Sequence, residues 1–208
     1  MQRFILRQNI ERFRSRIEEC TDEGDRKRLR TMLAAAEREL ALLNTALSGV
    51  RDPLLSNGRA APDAESRSSV LARFQQEFAG SPRPSLLIDP EAGLIIVDVN
   101  VPYEAATGAP RDRLLGQPLF LLFPDNPDDP DADGVSHLYA SLKIVAETRR
   151  PHAMRDQRYD VRDDDGRFVE RYWRPLNTPL LDEYGRLVYL LHQVEDVTEE
   201  VISARSPG

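Results

Sequence analysis

The stretch Asp129-Pro130-Asp131-Ala132-Asp133-Gly134 has the residue types and spacing of half a cation loop, D-x-D-x-D-G, whose alternating carboxylates converge on one calcium ion. The position that should supply a bidentate glutamate holds Ala140, and no helical pattern precedes the loop. We therefore read it as a solvated acidic loop that caps the helix after it. His137, His152 and His192 are too scattered for a preformed zinc site, and the one cysteine, Cys20, is remote from all three in sequence. No metal is expected. The chain carries no G-x-S-x-G, no P-loop and no paired His-Asp arrangement, and its first fifty residues lack the histidine that a phosphoacceptor hairpin needs. We expect no enzyme.

The elements that must position these residues read as strands and short helices. Leu86-Leu87-Ile88 is an apolar run stopped by Asp89-Pro90, and Gly93 opens a second run from Leu94 to Val99. Asn100 can cap a helical turn through Tyr103-Glu104-Ala105-Ala106, which Gly108 ends. Gly116 and Pro118 punctuate short helices between Arg111 and Phe123, and Leu138, Leu142, Val145 and Ala146 mark a longer helix before Pro151. The runs Phe168 to Asp182 and Leu187 to Glu199, joined by Glu183-Tyr184-Gly185-Arg186, read as an antiparallel hairpin.

The exit Asp196-Val197-Thr198 resembles the D-x-T motif that closes PAS domains. Together with DPEAGLIIVDVNVPYEAATG at 89–108 and RDRLLGQPLFLLF at 111–123, it makes the region from about 80 to 200 similar to a PAS sensor module. The resemblance implies an α+β PAS fold, a five-stranded antiparallel sheet with flanking helices, in which Asp196 and Thr198 pin the strand end before an output helix. It also sets strand phase: Val194, His192, Leu190 and Val188 turn inward, Gln193 and Leu191 face the other side, and Trp173, Pro175 and Asn177 turn inward on the preceding strand. Trp173, Asn177 and His192 are thus the candidate ligand contacts; in the alternative, Trp173 fills the cavity while Asn177 and His192 satisfy each other. Some PAS domains hold haem through a histidine of the long helix, and His137 is near the start of that helix, although a lone histidine is more often an ordinary surface or core side chain. The region has no cysteine, which excludes a LOV-type flavin photoadduct and a thiol-linked chromophore. The cofactor is left unknown.

Residues 1–50 carry a different pattern. Leu6, Ile10, Phe13, Ile17 and Cys20 form one apolar seam, and Leu29, Leu33, Ala36, Leu40, Leu43, Leu47 and Val50 form another. The break at Thr21 to Asp25, with Thr21 as cap, predicts a helical hairpin. Its second helix is too long to be covered by the first, so Leu40, Leu43, Leu47 and Val50 should face a second copy of the chain, making a homodimer, or fold back onto the sheet of their own chain. A DNA-binding helix-turn-helix at Arg26-Lys27-Arg28-Arg30 is disfavoured because residues 1–50 carry ten basic residues against eight acidic ones.

The organisation read from sequence is a helical hairpin at 1–50, a linker at 51–68 rich in Pro, Gly, Ser and Asp, a PAS domain with its cap helix at 69–200 and a tail at 201–208. The cap helix, starting near Ser68 or Ser69, should bury Phe74 and Phe78 on the outer sheet face. A net charge of −7 gives no footprint for nucleic acid or anionic lipid. No run approaches the roughly 18 apolar residues of a membrane span, and Arg3, Arg7 and Glu11 interrupt any signal-peptide core. We expect a cytoplasmic sensory or regulatory protein that passes small-molecule or protein-partner binding to a dimeric helical arm. The alternatives are a ligand-free adaptor and the input fragment of a larger signalling enzyme such as a histidine kinase.

Overall fold

A computed structural model of the chain describes residues 1–51, 61–78, 80–163 and 165–205. Residues 52–60, half of the expected linker, and the last three residues therefore lie outside the described residues. Helices α1 (Gln2–Glu19) and α2 (Glu23–Ser48) form an arm, and α3 (Ala64–Phe78) leads into the sheet domain. Strands β1 (Ser85–Ile88) and β2 (Ile96–Val99) are followed by α4 (Val101–Thr107), α5 (Arg111–Leu114), α6 (Leu119–Leu122) and the long α7 (Gly134–Thr148). The short strands β3 (His152–Ala153), β4 (Gln157–Arg158), β5 (Val161–Arg162), β6 (Phe168–Val169) and β7 (Tyr172–Trp173) lead to β8 (Leu176–Leu181), β9 (Leu187–Gln193) and α8 (Thr198–Arg205).

The main sheet is five-stranded and antiparallel in the order β2-β1-β9-β8-β3. Its longest hairpin, β8–β9, turns on Asp182, whose Oδ1 accepts the N–H groups of Tyr184 and Arg186 at 3.0 and 2.9 Å, while Gly185 supplies a φ of 71°. On the outer face, Val70 and Phe74 of α3 cover Leu87, Leu180, Val188, Tyr189 and Leu191, and the half-buried Phe78 stacks on Phe74 at 5.6 Å. Helix α3 begins five residues earlier than Ser69. Asp63 accepts the Ser66 N–H at 2.9 Å and so acts as its cap, and the Arg186 guanidinium is bonded to both Asp63 and Ser66. On the inner face, α4 to α7 enclose the main core around Leu86, Ile88, Ile96, Leu142 and Leu190.

In the arm, Leu6, Ile10 and Phe13 of α1 pack on Leu29 and Ala36 of α2, flanked by the half-buried Leu33, Leu40 and Leu43. The cap of α2 is Asp22, whose side chain accepts the Asp25 N–H at 2.8 Å. Thr21, the expected cap, sits one residue too early for a helix that begins at Glu23. At 1.5 Å per residue α1 spans about 27 Å and α2 about 39 Å, so α1 runs out near Leu43. Leu47, a turn further on, is 59% exposed, whereas Val50 is only 2% exposed and belongs to the core of the sheet domain. Leu40, Leu43, Leu47 and Val50 therefore do not form one outward stripe: two face α1, one faces solvent and one anchors α2 to its own chain.

That anchoring uses a second face of α2 made of small and polar residues. Ala41 joins the main core, and Asn44 and Thr45 are buried where α2 packs on α7. The Gly93 N–H donates to the Thr45 carbonyl at 2.8 Å, the Val50 N–H donates to the Pro90 carbonyl at 3.0 Å, and Arg51 pairs with Glu91 at 2.8 Å. Gly49 is required at this joint. Its φ is +59°, and a Cβ there would lie 2.1 Å from the Glu91 carbonyl oxygen. Further along α2, the Arg38 guanidinium pairs with the buried Asp125 at 2.6 Å and donates to the Ala132 carbonyl. The arm is thus built into the sheet domain.

Candidate functional site

A cavity of about 60 Å3 lies between the inner sheet face and α4 to α7, lined by Tyr103, Phe123, Leu138, Met154, Trp173 and His192 among others. Strand alternation puts Leu190, His192 and Val194 on the inner side and Leu191 on the outer. Val188 departs from the expected phase and packs under α3, while Leu187 faces the inner core. The cause is a register irregularity in the β8–β9 ladder, where Leu180 pairs with Tyr189 but Leu181 pairs with Leu187.

His192, 6% exposed, is tied through Nδ1 to Asn177 Oδ1 at 2.7 Å. Asn177 is fully buried behind the cavity wall, and its Nδ2 donates to Ser141 Oγ at 2.7 Å and to Met154 Sδ at 3.4 Å. Both amide hydrogens thus meet acceptors, which orients the carboxamide oxygen toward His192. Ser141 in turn bonds His152 Nδ1 at 2.7 Å. The result is a polar chain His192–Asn177–Ser141–His152 from the cavity to the edge strand β3. Burial holds the His192 pKa down at about 4, so the ring is neutral at pH 7. Because Asn177 Oδ1 can only accept, the ring proton sits on Nδ1 and Nε2 keeps its lone pair.

Of the three sequence-derived ligand contacts, Trp173 and His192 line the cavity and Asn177 stands one layer behind them. The Trp173 indole N–H donates to the Tyr159 carbonyl at 2.9 Å. The Tyr159 hydroxyl donates to the Phe123 carbonyl, and burial raises its pKa well above the ordinary phenol value. Tyr103 is 5% exposed, and its hydroxyl has no hydrogen-bond partner among the described residues. Ser141, Tyr103 and Gly134 escaped the sequence reading. Ser141 had a readable signal: it shares the helical face of Leu138, Leu142 and Val145, where a polar residue needs a buried partner.

The other candidates are placed elsewhere. His137, the haem candidate, is outside the cavity lining and bonds Gln157 Oε1 at 2.7 Å. The acidic loop diverges: Asp129 pairs with Arg158 at 3.0 Å, Asp131 accepts from Thr31 at 2.5 Å, and Asp133 lies 3.4 Å from His137. Among the described residues no cluster of three or more His, Cys, Asp or Glu could hold a metal ion. Nor does this loop cap α7 with a side chain. Asp125, ten residues upstream, accepts the Val135 N–H at 2.9 Å.

At the exit, Asp196 Oδ1 accepts both the N–H and the hydroxyl of Thr198, at 2.9 and 2.5 Å, and Thr198 Oγ1 accepts the Tyr172 N–H at 2.9 Å. The start of α8 is thereby fastened to β7, next to the cavity residue Trp173. Arg205 closes the other end of α8, donating to the Tyr172 hydroxyl at 2.5 Å with its guanidinium 4.7 Å from the ring centre.

The sheet order, the helix layer on its inner face and the D-x-T exit define a PAS architecture. A family model described as PAS fold matches residues 78–202, and the chain belongs to that family. No curated protein sequence matches it. Among solved structures it is similar to a PAS domain from Colwellia psychrerythraea, at 19% identity over 62% of this chain and 98% of that one, with a TM-score of 0.47. A phage VqmA–DPO complex matches at 17% identity over 68% of this chain and 59% of that chain, TM-score 0.47, and the Rhodobacter sphaeroides LOV protein at 14% over 67% and 70%, TM-score 0.48. Among the described residues no helix is long and apolar enough to cross a membrane.

Proposed function

We propose that this PAS protein is a cytoplasmic sensory or regulatory module, not an enzyme, that converts occupancy of its cavity into a change at the helical arm. One observation carries the reading. Helix α7 lines the cavity with Gly134 and Leu138 and packs on α2, where the Tyr139 hydroxyl donates to the Gly49 carbonyl at 3.3 Å. A shift of α7 on ligand entry has to be absorbed by the α2 contacts, because Arg38–Asp125 and the Gly49–Glu91 joint hold α2 to the same layer. We further propose that the arm mediates a homodimer, with Leu40 and Leu43 sealing the hairpin inside each copy. The exposed Phe4, Ile5 and Leu47, all at the end of the hairpin where α1 starts, would then face the second copy.

A second reading, a ligand-free adaptor for a signalling partner, is favoured by the mutual bonding of His192 and Asn177 and by the satisfied Trp173 N–H. Native mass spectrometry of the purified protein separates the two. The sensory reading expects a dimer mass carrying a bound small molecule. A ligand-free monomer would overturn both the sensing and the dimer proposals.

A further inference from the structure

Two polar groups in the cavity wall, on residues that are themselves buried, have no hydrogen-bond partner among the described residues. His192 Nε2 is an acceptor, since Nδ1 is committed to Asn177, and no described residue is bonded to it. The Tyr103 hydroxyl is the other, brought in by α4 from the opposite layer. Both residues are more than nine-tenths buried. The other polar side chains of the wall are already engaged: Thr107 with the Tyr103 carbonyl at 2.8 Å, Gln157 with His137, the Tyr159 hydroxyl with the Phe123 carbonyl and the Trp173 N–H with the Tyr159 carbonyl. Among the described residues no arginine or lysine lines the cavity.

We propose, building on the ligand-sensing reading above, that the cavity selects a small neutral heteroaromatic or phenolic ring whose N–H or O–H donates to His192 Nε2, with the Tyr103 hydroxyl as its second polar contact. The wiring behind the wall sets this choice. If the Asn177 amide flipped, its oxygen would face Met154 Sδ, which has no hydrogen to donate, so the satisfied arrangement keeps Oδ1 on His192 and the imidazole N–H on Nδ1, turned away from the cavity. A carboxylate or phosphate would need a donor or a cation at that spot, and burial opposes protonating the ring. Size points the same way. A closed cavity of about 150 Å3 accommodates benzene, so this pocket of roughly 60 Å3, open on one side, takes the polar edge of a ring. The rest would stand at the side marked by the half-buried Thr107, Met154, Gln157 and Val161. Met154 is the adaptable member of that rim.

The test compares matched probes on the whole chain by NMR titration: pyrazole against 1-methylpyrazole, phenol against anisole, and acetate as the anion, with xenon as a control for access alone. We expect pyrazole and phenol to bind roughly tenfold tighter than their methylated partners, the factor that one satisfied buried acceptor supplies. The preference should vanish in His192→Phe. Should that variant fail to fold, the Nε2 nitrogen resonance of the native chain gives the same answer, moving with pyrazole and not with 1-methylpyrazole. Equal affinities within each pair, or tighter binding of acetate, would overturn the proposed ligand class and leave the sensing reading standing, as would xenon entering where no ring probe binds. If neither xenon nor any ring probe enters, the proposal fails together with the sensing reading.

Discussion

Replacing Gly134 by alanine tests the cavity wall at its tightest point. Gly134 opens α7, and a Cβ there would lie 2.1 Å from Cδ2 and 2.6 Å from Cε2 of Tyr159. Ordinary carbon contacts begin near 3.5 Å, so the ring must retreat by roughly 1.4 Å. It cannot do so freely, because its hydroxyl is bonded to the Phe123 carbonyl and its own carbonyl accepts the Trp173 indole N–H at 2.9 Å. Overpacking of this kind costs about 1 to 3 kcal/mol, and the better helix propensity of alanine returns at most about 1 kcal/mol. We therefore expect a net loss of stability of up to about 3 kcal/mol in urea denaturation, with the slope unchanged. The chain has a single tryptophan, so its one indole N–H resonance should move as the Tyr159 bond is disturbed. A Gly134→Ala protein as stable as the native one, with an unmoved indole signal, would refute the packing described here.

Three further outcomes follow from the same contacts. His192 has a folded pKa of about 4 against 6.5 unfolded, so the unfolded chain binds the extra proton; stability is fully present above pH 6.5 and falls by about 3 kcal/mol toward pH 4, a slope that His192→Gln should lack in pH-dependent denaturation. Gly49→Ala places a Cβ against the Glu91 carbonyl at a left-handed φ and should cost about 3 kcal/mol, with amide exchange accelerating first at the end of α2; exchange unchanged from Ala41 to Val50 would contradict the joint. Thr198→Val removes the acceptor of the Tyr172 N–H and should lower stability by about 1 to 2 kcal/mol while exposing α8 to proteolysis, and undiminished protease resistance would count against the clamp.

The sheet domain was legible because its strands are short apolar runs punctuated by Pro90, Gly93 and Gly185, and its caps are local: Asn100 accepts the Tyr103 N–H at 3.1 Å as its position predicts. What escaped depends on contacts distant in sequence. The docking face of α2 consists of Ala41, Asn44 and Thr45, with Gly49 just past the helix end, small or polar residues with no apolar period, so only the seam toward α1 was visible. The α7 cap comes from Asp125, across a loop whose own carboxylates looked better placed. The inward turn of β9 was readable from alternation, but one irregular pair at Leu181 and Leu187 reversed Val188. For the site, Trp173 and His192 were reached through strand phase, whereas Ser141 and Tyr103 required knowing which helix faces cover the sheet.

The most direct test of the account is hydrogen exchange along the arm after a change confined to the cavity. Trp173→Phe removes the indole bond to Tyr159 and enlarges the cavity from β7, without touching α2. If α7 carries the state of the cavity to the arm, exchange from Leu40 to Val50 should rise relative to α3, which packs on the opposite sheet face. Exchange that changes only near Tyr159 and along α8, with Leu40 to Val50 moving no more than α3, would contradict the coupling.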